Sequence, residues 1–313
     1  MGKYIIIRLI LLFITLFIMT SLIFIILRSA LYIQYSISLL DNLENIFFEY
    51  CSFIKGVFTK WDWGKTMNNE SVWKLFKRRA PYTLSINLLA FVFYIFFGIL
   101  LGIISTLQKD KIIDQVIGFF TMSFASIHAI ALTFILMLIL GYSLKLVPTI
   151  YPFDTASNIA KMKGFIIPIL ALSLEPIARL TRIIRGELSE TIYSEYMLLA
   201  KIKGLKTRYI ILHHGLKNCF TVVLPFISST FILVICNSFF VEVFYNIPGI
   251  ATWFKTSLVS PLGDGNYLSI DTYSLVMIGS FYTFLSLIVT FIVDIIYKFF
   301  DPRIKIGSKK LSM

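Results

Sequence analysis

Six long apolar runs, each free of lysine and arginine, constrain this chain more than any other feature. They read as Leu9–Leu27, Leu84–Thr106, Val116–Leu140, Phe165–Ala178, Val222–Val241 and Tyr273–Val293. An unpaired cation at a bilayer centre costs about 3 kcal/mol, and about 20 residues of helix cross the roughly 30 Å hydrocarbon core. Only helices and closed barrels satisfy every backbone group in lipid. Runs of this length therefore predict an all-α polytopic membrane protein. Charged residues make up 15% of the 313, against about 25% in soluble domains. The first run is too long for the core of a cleaved signal peptide, so it is expected to stay as a span. The fourth is the shortest and carries Pro168, Glu175 and Pro176; it fits a kinked helix rescued by its neighbours.

Net charge is +12. The basic residues lie in the gaps between apolar runs, which suits a membrane face and not nucleic acid. With both termini inside, the inner segments hold more than half of the 29 Lys and Arg. Their cation density is then about twice that outside, as the positive-inside rule requires. Lys77-Arg78-Arg79 runs against that trend. Residues 28–83 become an external cap, and 243–272 a second outer segment whose "YNIPGI" and "SPLGDGNY" mark turns. One membrane domain over 1–313 is expected.

The stretch Glu195–Asn218, "EYMLLAKIKGLKTRYIILHHGLKN", is basic and helix-patterned. Tyr196, Leu199 and Ala200 recur at helical spacing, Gly204 interrupts, and Tyr209, Leu212, His213 and Leu216 resume. Two short helices joined at a glycine fit, because glycine ends helices at low steric cost. From pattern alone, a helix lying on the membrane surface fits equally well.

Other chemistry is sparse. Cys51, Cys219 and Cys236 have neither metal-ligand nor disulfide spacing. "GKT" at Gly64–Thr66 has Thr59 where a phosphate-binding loop needs glycine. Glu175 could face a translocation path, but Arg179, four residues on, offers an ordinary ion pair. His128, in the middle of the third run, could meet substrate or hydrogen-bond a neighbouring helix. His213 and His214 lack a carboxylate at metal spacing. Asp294 and Asp301 bracket the inner end of the last span, where Asp301-Pro302 reads as a helix stop with Arg303 available to pair. No HExxH, paired aspartates or serine–base arrangement occurs in the spans.

The alanine, three-residue gap and glycine of Ala200–Gly204, with Tyr196 ahead and "HGLKN" behind, resemble the coupling segment of inner-membrane permeases of binding-protein-dependent ABC importers. "VEVFYNIPGI", with Glu242, Pro248 and Gly249, resembles the element after that family's fifth span. "VDIIYKFFDPRI", with Asp294, Asp301, Pro302 and Arg303, resembles its closing signature. "RRAPYTLSI" and "KLVPT" are similar to the approaches to its second span and third outer turn. The branch is the B-type permease of oligopeptide, dipeptide or nickel importers.

The resemblance implies a non-catalytic subunit in the cell membrane, forming half of a peptide pathway, with metal chelates as the alternative cargo. It further implies a second, C-type permease, an external solute-binding protein and two cytoplasmic ATPases that hold the ATP and magnesium. This chain itself would carry no cofactor or metal. Glu195, Tyr196, Ala200, Lys201, Gly204 and Leu205 would dock an ATPase. Two outer features depart from the pattern: the Pro-Gly-(Asp/Asn)-Pro element is missing after the first span, and the loop after Gly249 is expanded. A secondary transporter or channel is the rival from another class, expected to show paired intramembrane charges or inverted repeats.

Overall fold

A computed structural model describes residues 2–34, 43–153, 157–192, 194, 202, 204, 209, 211, 215–258, 260–261 and 268–300. Helices α1 (Gly2–Gln34), α2 (Leu43–Lys60), α3 (Val72–Leu107), α4 (Ile112–Ser126) and α5 (Ala129–Leu136) come first. A π-helical segment, Met137–Ser143, extends α5. Then follow α6 (Asn158–Gly164), α7 (Ile166–Ile192), α8 (Leu216–Phe244), α9 (Ile250–Leu258) and α10 (Thr272–Phe300). Among the described residues the named strands are β1 (Ser260–Pro261) and β2 (Leu268–Ser269), a two-residue antiparallel ladder.

Among the described residues, five helical stretches are long and apolar enough to cross a bilayer: Tyr4–Tyr32, Val72–Leu107, Asn158–Thr191, Cys219–Phe244 and Thr272–Lys298. The third expected span is not one helix. Its α4 and α5 halves meet at 106°. Ile127 takes an extended conformation (φ −100°, ψ 122°). The hydroxyls of Thr121, Ser123 and Ser126 bond back to carbonyls three or four residues earlier, which weakens the helical ladder. The backbone N–H of Ile130 donates to His128 Nδ1 at 3.5 Å. His128 therefore sits exposed at a break, not in mid-helix.

Two other helices extend beyond the expected apolar runs. Helix α3 begins at Val72 and not near Leu84, so the last part of the expected 28–83 cap is a helical extension carrying Lys77, Arg78 and Arg79. The helix that holds the fourth expected run continues past Ala178, as α7 reaches Ile192 with an amphipathic pattern. Leu180, Ile184 and Leu188 are at most 1% exposed. Burial inside protein is what lets this span keep charges: 67% of its most apolar window is buried, against 17% for the first span.

The chain divides into two compact units. The first holds residues up to 88 with 136–168 and 235–288; the second holds 89–135, 169–234 and the residues from 289 onward. In the first unit, Phe24, Phe53 and Val276 form a buried cluster ringed by Tyr50, Trp63 and Tyr273. Helix α2 packs along α1, with Ser21 bonded to Tyr50 at 2.6 Å and Arg28 paired with Glu49 at 3.1 Å. The Gly64 of "GKT" has φ +84°, and a Cβ there would strike the Tyr273 ring at 2.7 Å. Its job is a tight turn against an aromatic ring.

In the second unit, Gly98 and Gly102 on α3 lie four residues apart and receive Leu180 and Ile184 of α7. A Cβ at either glycine would sit 2.7 Å from those side chains. Small residues at this spacing let two helices approach closely in a membrane. The contact is completed by Thr181 Oγ1, which donates to the Gly98 carbonyl at 3.3 Å.

Candidate functional site

Two polar clusters are built into the fold, one in each unit. In the first unit Glu242, near the end of α8, is fully buried. Its Oε2 accepts from Thr83 Oγ1 at 3.0 Å and from the Ala251 N–H at 3.1 Å. Thr83 Oγ1 in turn accepts the Ile250 N–H at 2.9 Å. These two side chains thus satisfy two of the orphan donors at the start of α9. A carboxylate there also suits the positive end of the helix. Gly249 is required by close approach: a Cβ would collide with the Glu242 carboxylate and lie 2.7 Å from Thr83 Oγ1. The Asn246–Gly249 turn is further held by the Ile247 N–H bonding to the Glu242 carbonyl at 2.9 Å. Tyr245 donates to the Pro148 carbonyl, and its own carbonyl accepts the Tyr151 N–H at 3.0 Å. Burial raises the Tyr151 phenol above its ordinary pKa, with Tyr82 adding to the effect.

In the second unit Asp114, in the first turn of α4, is 5% exposed. Arg185 of α7 grips it at two points, Nε to Oδ1 and Nη2 to Oδ2, both at 2.8 Å. Ser105 at the end of α3 donates to Oδ1, and the Asp110 N–H donates to Oδ2 at 3.2 Å. Four donors from three residues, on α3, α7 and the turn between α3 and α4, converge on one carboxylate. Planar bidentate pairing is the geometry arginine supplies and lysine does not. A cavity of about 540 Å³ lies beside the clamp, with Thr121, Thr181 and Arg182 on its wall. The α3–α4 corner and the last third of α7 are thereby tied, ten residues before the basic stretch begins.

The remaining sequence-derived candidates fall as follows. Arg179 Nη2 donates to Glu175 Oε1 at 2.7 Å, so this pair forms within one helix face. Gly204 lies in a turn at φ +79°, a left-handed conformation that glycine adopts without strain. Glu195, Tyr196, Ala200, Lys201 and Leu205 lie outside the described residues, as do Asp301, Pro302 and Arg303. Asp294 is half-buried in α10. Sequence reasoning passed over Thr83, Ser105, Asp114 and Arg185. Nothing local marks Asp114 and Arg185 as partners, since they are 71 residues apart; the Gly98–Gly102 spacing was readable.

Comparison with known proteins bears on these features. Residues 98–306 match the family model described as binding-protein-dependent transport system inner membrane component. The chain is 26% identical to the dipeptide transport system permease protein DppB of Bacillus subtilis over 269 residues, 85% of this chain and 82% of that protein. It is 27% identical to the oligopeptide transport system permease protein OppB of Salmonella typhimurium over 230 residues, 72% of this chain and 69% of the relative. The Escherichia coli K12 OppB matches at 27% over 269 residues, 84% and 81% of the two chains. The matched region takes in the Asp114–Arg185 clamp, Glu242 with its Pro-Gly turn, and the basic stretch around Gly204, and the chain belongs to the family of binding-protein-dependent transport system inner membrane components.

Proposed function

We propose that this chain is the transmembrane permease subunit of an ATP-driven peptide importer. It would form half of the translocation pathway beside a second, related permease. The observation that carries the reading is the match, over most of the chain, to proteins named as dipeptide and oligopeptide permeases. Both termini face the cytoplasm in this reading, supported by the cation density of the inner segments. Two cytoplasmic ATPases, holding ATP and magnesium, would dock on Glu195–Asn218, and an external solute-binding protein would deliver peptide. The chain itself is non-catalytic and carries no cofactor or metal.

The mechanism needs a bistable element, not a reacting group. Movement of the docked segment would reach α7 directly, since α7 ends at Ile192. The Asp114–Arg185 clamp would hand that movement to the α3–α4 corner, and the glycine-lined contact with α3 would carry it further. The outer Glu242 network would keep the Pro-Gly turn and α9 rigid while the helices shift.

The test is uptake of a labelled dipeptide and a labelled tripeptide by cells lacking this chain. Loss of both, restored by the intact chain, is expected. Intact peptide uptake with lost uptake of a nickel chelate would move the assignment to the metal-importing branch.

A further inference from the structure

The cavity beside the clamp has a second property. It shares Ile117 and Thr121 with an apolar groove of about 220 Å³ between the same helices, whose walls include Leu101, Phe120, Phe124 and Ile177. A polar chamber and an apolar groove thus adjoin each other. Phe120 and Met122, on those walls, are 52% and 63% exposed. They belong to the bent helix pair whose length and composition suit a membrane span, and their apolar exposure suits contact with an acyl chain.

The charges on the chamber wall decide what fits. Asp114 and Arg185 neutralise each other in their two-point pair. Two further charges remain on the wall, Arg182 and Asp110, and neither has a salt-bridge partner among the described residues. Both side chains belong to exposed residues. Gly118 and Gly186 also line the chamber, and a Cβ on either would meet nothing within 4 Å. Lys109 and Lys111 flank the same corner in sequence, which suits headgroup depth.

We propose that this chamber and groove bind one phospholipid with a zwitterionic, primary-amine headgroup of the phosphatidylethanolamine kind. The phosphate meets the Arg182 guanidinium, a fork suited to it. The ammonium donates to the Asp110 carboxylate, and an acyl chain occupies the groove. Arg182, and Asp110, which lies close enough to attract Arg185 without pairing with it, match one anion and one cation on the lipid. A purely anionic headgroup would leave Asp110 facing a like charge. A trimethylammonium headgroup has no N–H to give. In the orientation proposed above the site lies in the cytoplasmic leaflet. The inference concerns lipid and stands whether or not the cargo is peptide.

The test uses the intact complex, purified in mild detergent and exposed to an equimolar mixture of phosphatidylethanolamine, phosphatidylcholine and phosphatidylglycerol. Native mass spectrometry then counts the lipids retained. Phosphatidylethanolamine is expected to be retained several-fold over the other two. Arg182→Ala should lower retention of all three, and Asp110→Asn should abolish the preference for the ethanolamine lipid over phosphatidylglycerol. Leu101→Trp, which fills the groove and leaves the charges alone, should also lower retention. Equal retention of the three lipids, or a preference unchanged in both charge variants, overturns the proposal. So does full competition by glycerophosphoethanolamine, which has the headgroup and no acyl chain. Uptake measured on the same variants reports on the permease reading separately.

Discussion

Arg185 reaches from α7 to Asp114 on α4 and holds both carboxylate oxygens at 2.8 Å. Asp114 is buried, whereas the Arg185 side chain is 42% exposed. The arginine thus keeps part of its hydration, while the aspartate depends on its donors.

Removing one partner should reveal that asymmetry. Arg185→Ala strands a buried carboxylate and should destabilise the complex by about 1–3 kcal/mol. Asp114→Asn should do less harm, since its amide oxygen still accepts from Ser105 or Arg185. Thermal unfolding in detergent gives the order. The exchange Asp114→Arg with Arg185→Asp should recover part of the loss if the pair matters as a clamp, and none if only the Ser105 contact counts.

At the Pro-Gly turn, Gly249→Ala should destabilise by about 1–3 kcal/mol, because the new methyl enters the space of the Glu242 carboxylate. Thr83→Val should cost a similar amount by leaving the Ile250 N–H unpaired. The two changes act on one network, so their sum should not equal the double variant. Additive losses would show that Thr83 and Gly249 act independently.

The glycine-lined contact makes a packing prediction. Gly98→Ala should destabilise the helix pair through Leu180, and Leu180→Ala in the same chain should relieve the clash while leaving a cavity. A Gly98→Ala protein with unchanged unfolding temperature would mean that α3 and α7 are not held this closely.

Much of this architecture is legible in the sequence, and the limits have physical causes. Expulsion of Lys and Arg from lipid is a one-dimensional signal, so Tyr273–Val293 and Val222–Val241 lie inside observed helices. Hydropathy reports composition and not direction, so the bend at Ile127–His128 left no trace in it. The Phe165–Ala178 run ends in hydropathy at Arg179, whereas α7 continues to Ile192 with Leu180 and Ile184 packed on Gly98 and Gly102. Glu242, Pro248 and Gly249 were visible as a motif. Their partner Thr83, 159 residues from Glu242, could come only from the fold, as could the pairing of Asp114 with Arg185.

Gly204, at φ +79°, leads to a separable prediction. Gly204→Trp should leave the chain inserted and paired with its partner permease, yet lose most peptide uptake. The left-handed backbone disfavours any side chain by about 1–2 kcal/mol, and the indole would block docking of an ATPase. Normal uptake by that variant would remove the docking role.

Glu175→Gln keeps the shape of the Glu175–Arg179 contact and removes one charge. Recovery of assembled complex should fall by more than the preference among dipeptides changes. Intact assembly with altered selectivity, measured by competition uptake, would instead place Glu175 on the pathway.

The central claim is that this chain works as the permease of an ATP-driven peptide importer. The most direct measurement is ATP hydrolysis by the complex that copurifies with the tagged chain from native membranes, reconstituted with its binding protein, with and without a mixed peptide pool. Hydrolysis that peptide stimulates several-fold, in a preparation containing a second permease, is the predicted result. A chain that purifies without any ATPase, and still moves solute in vesicles, would contradict it.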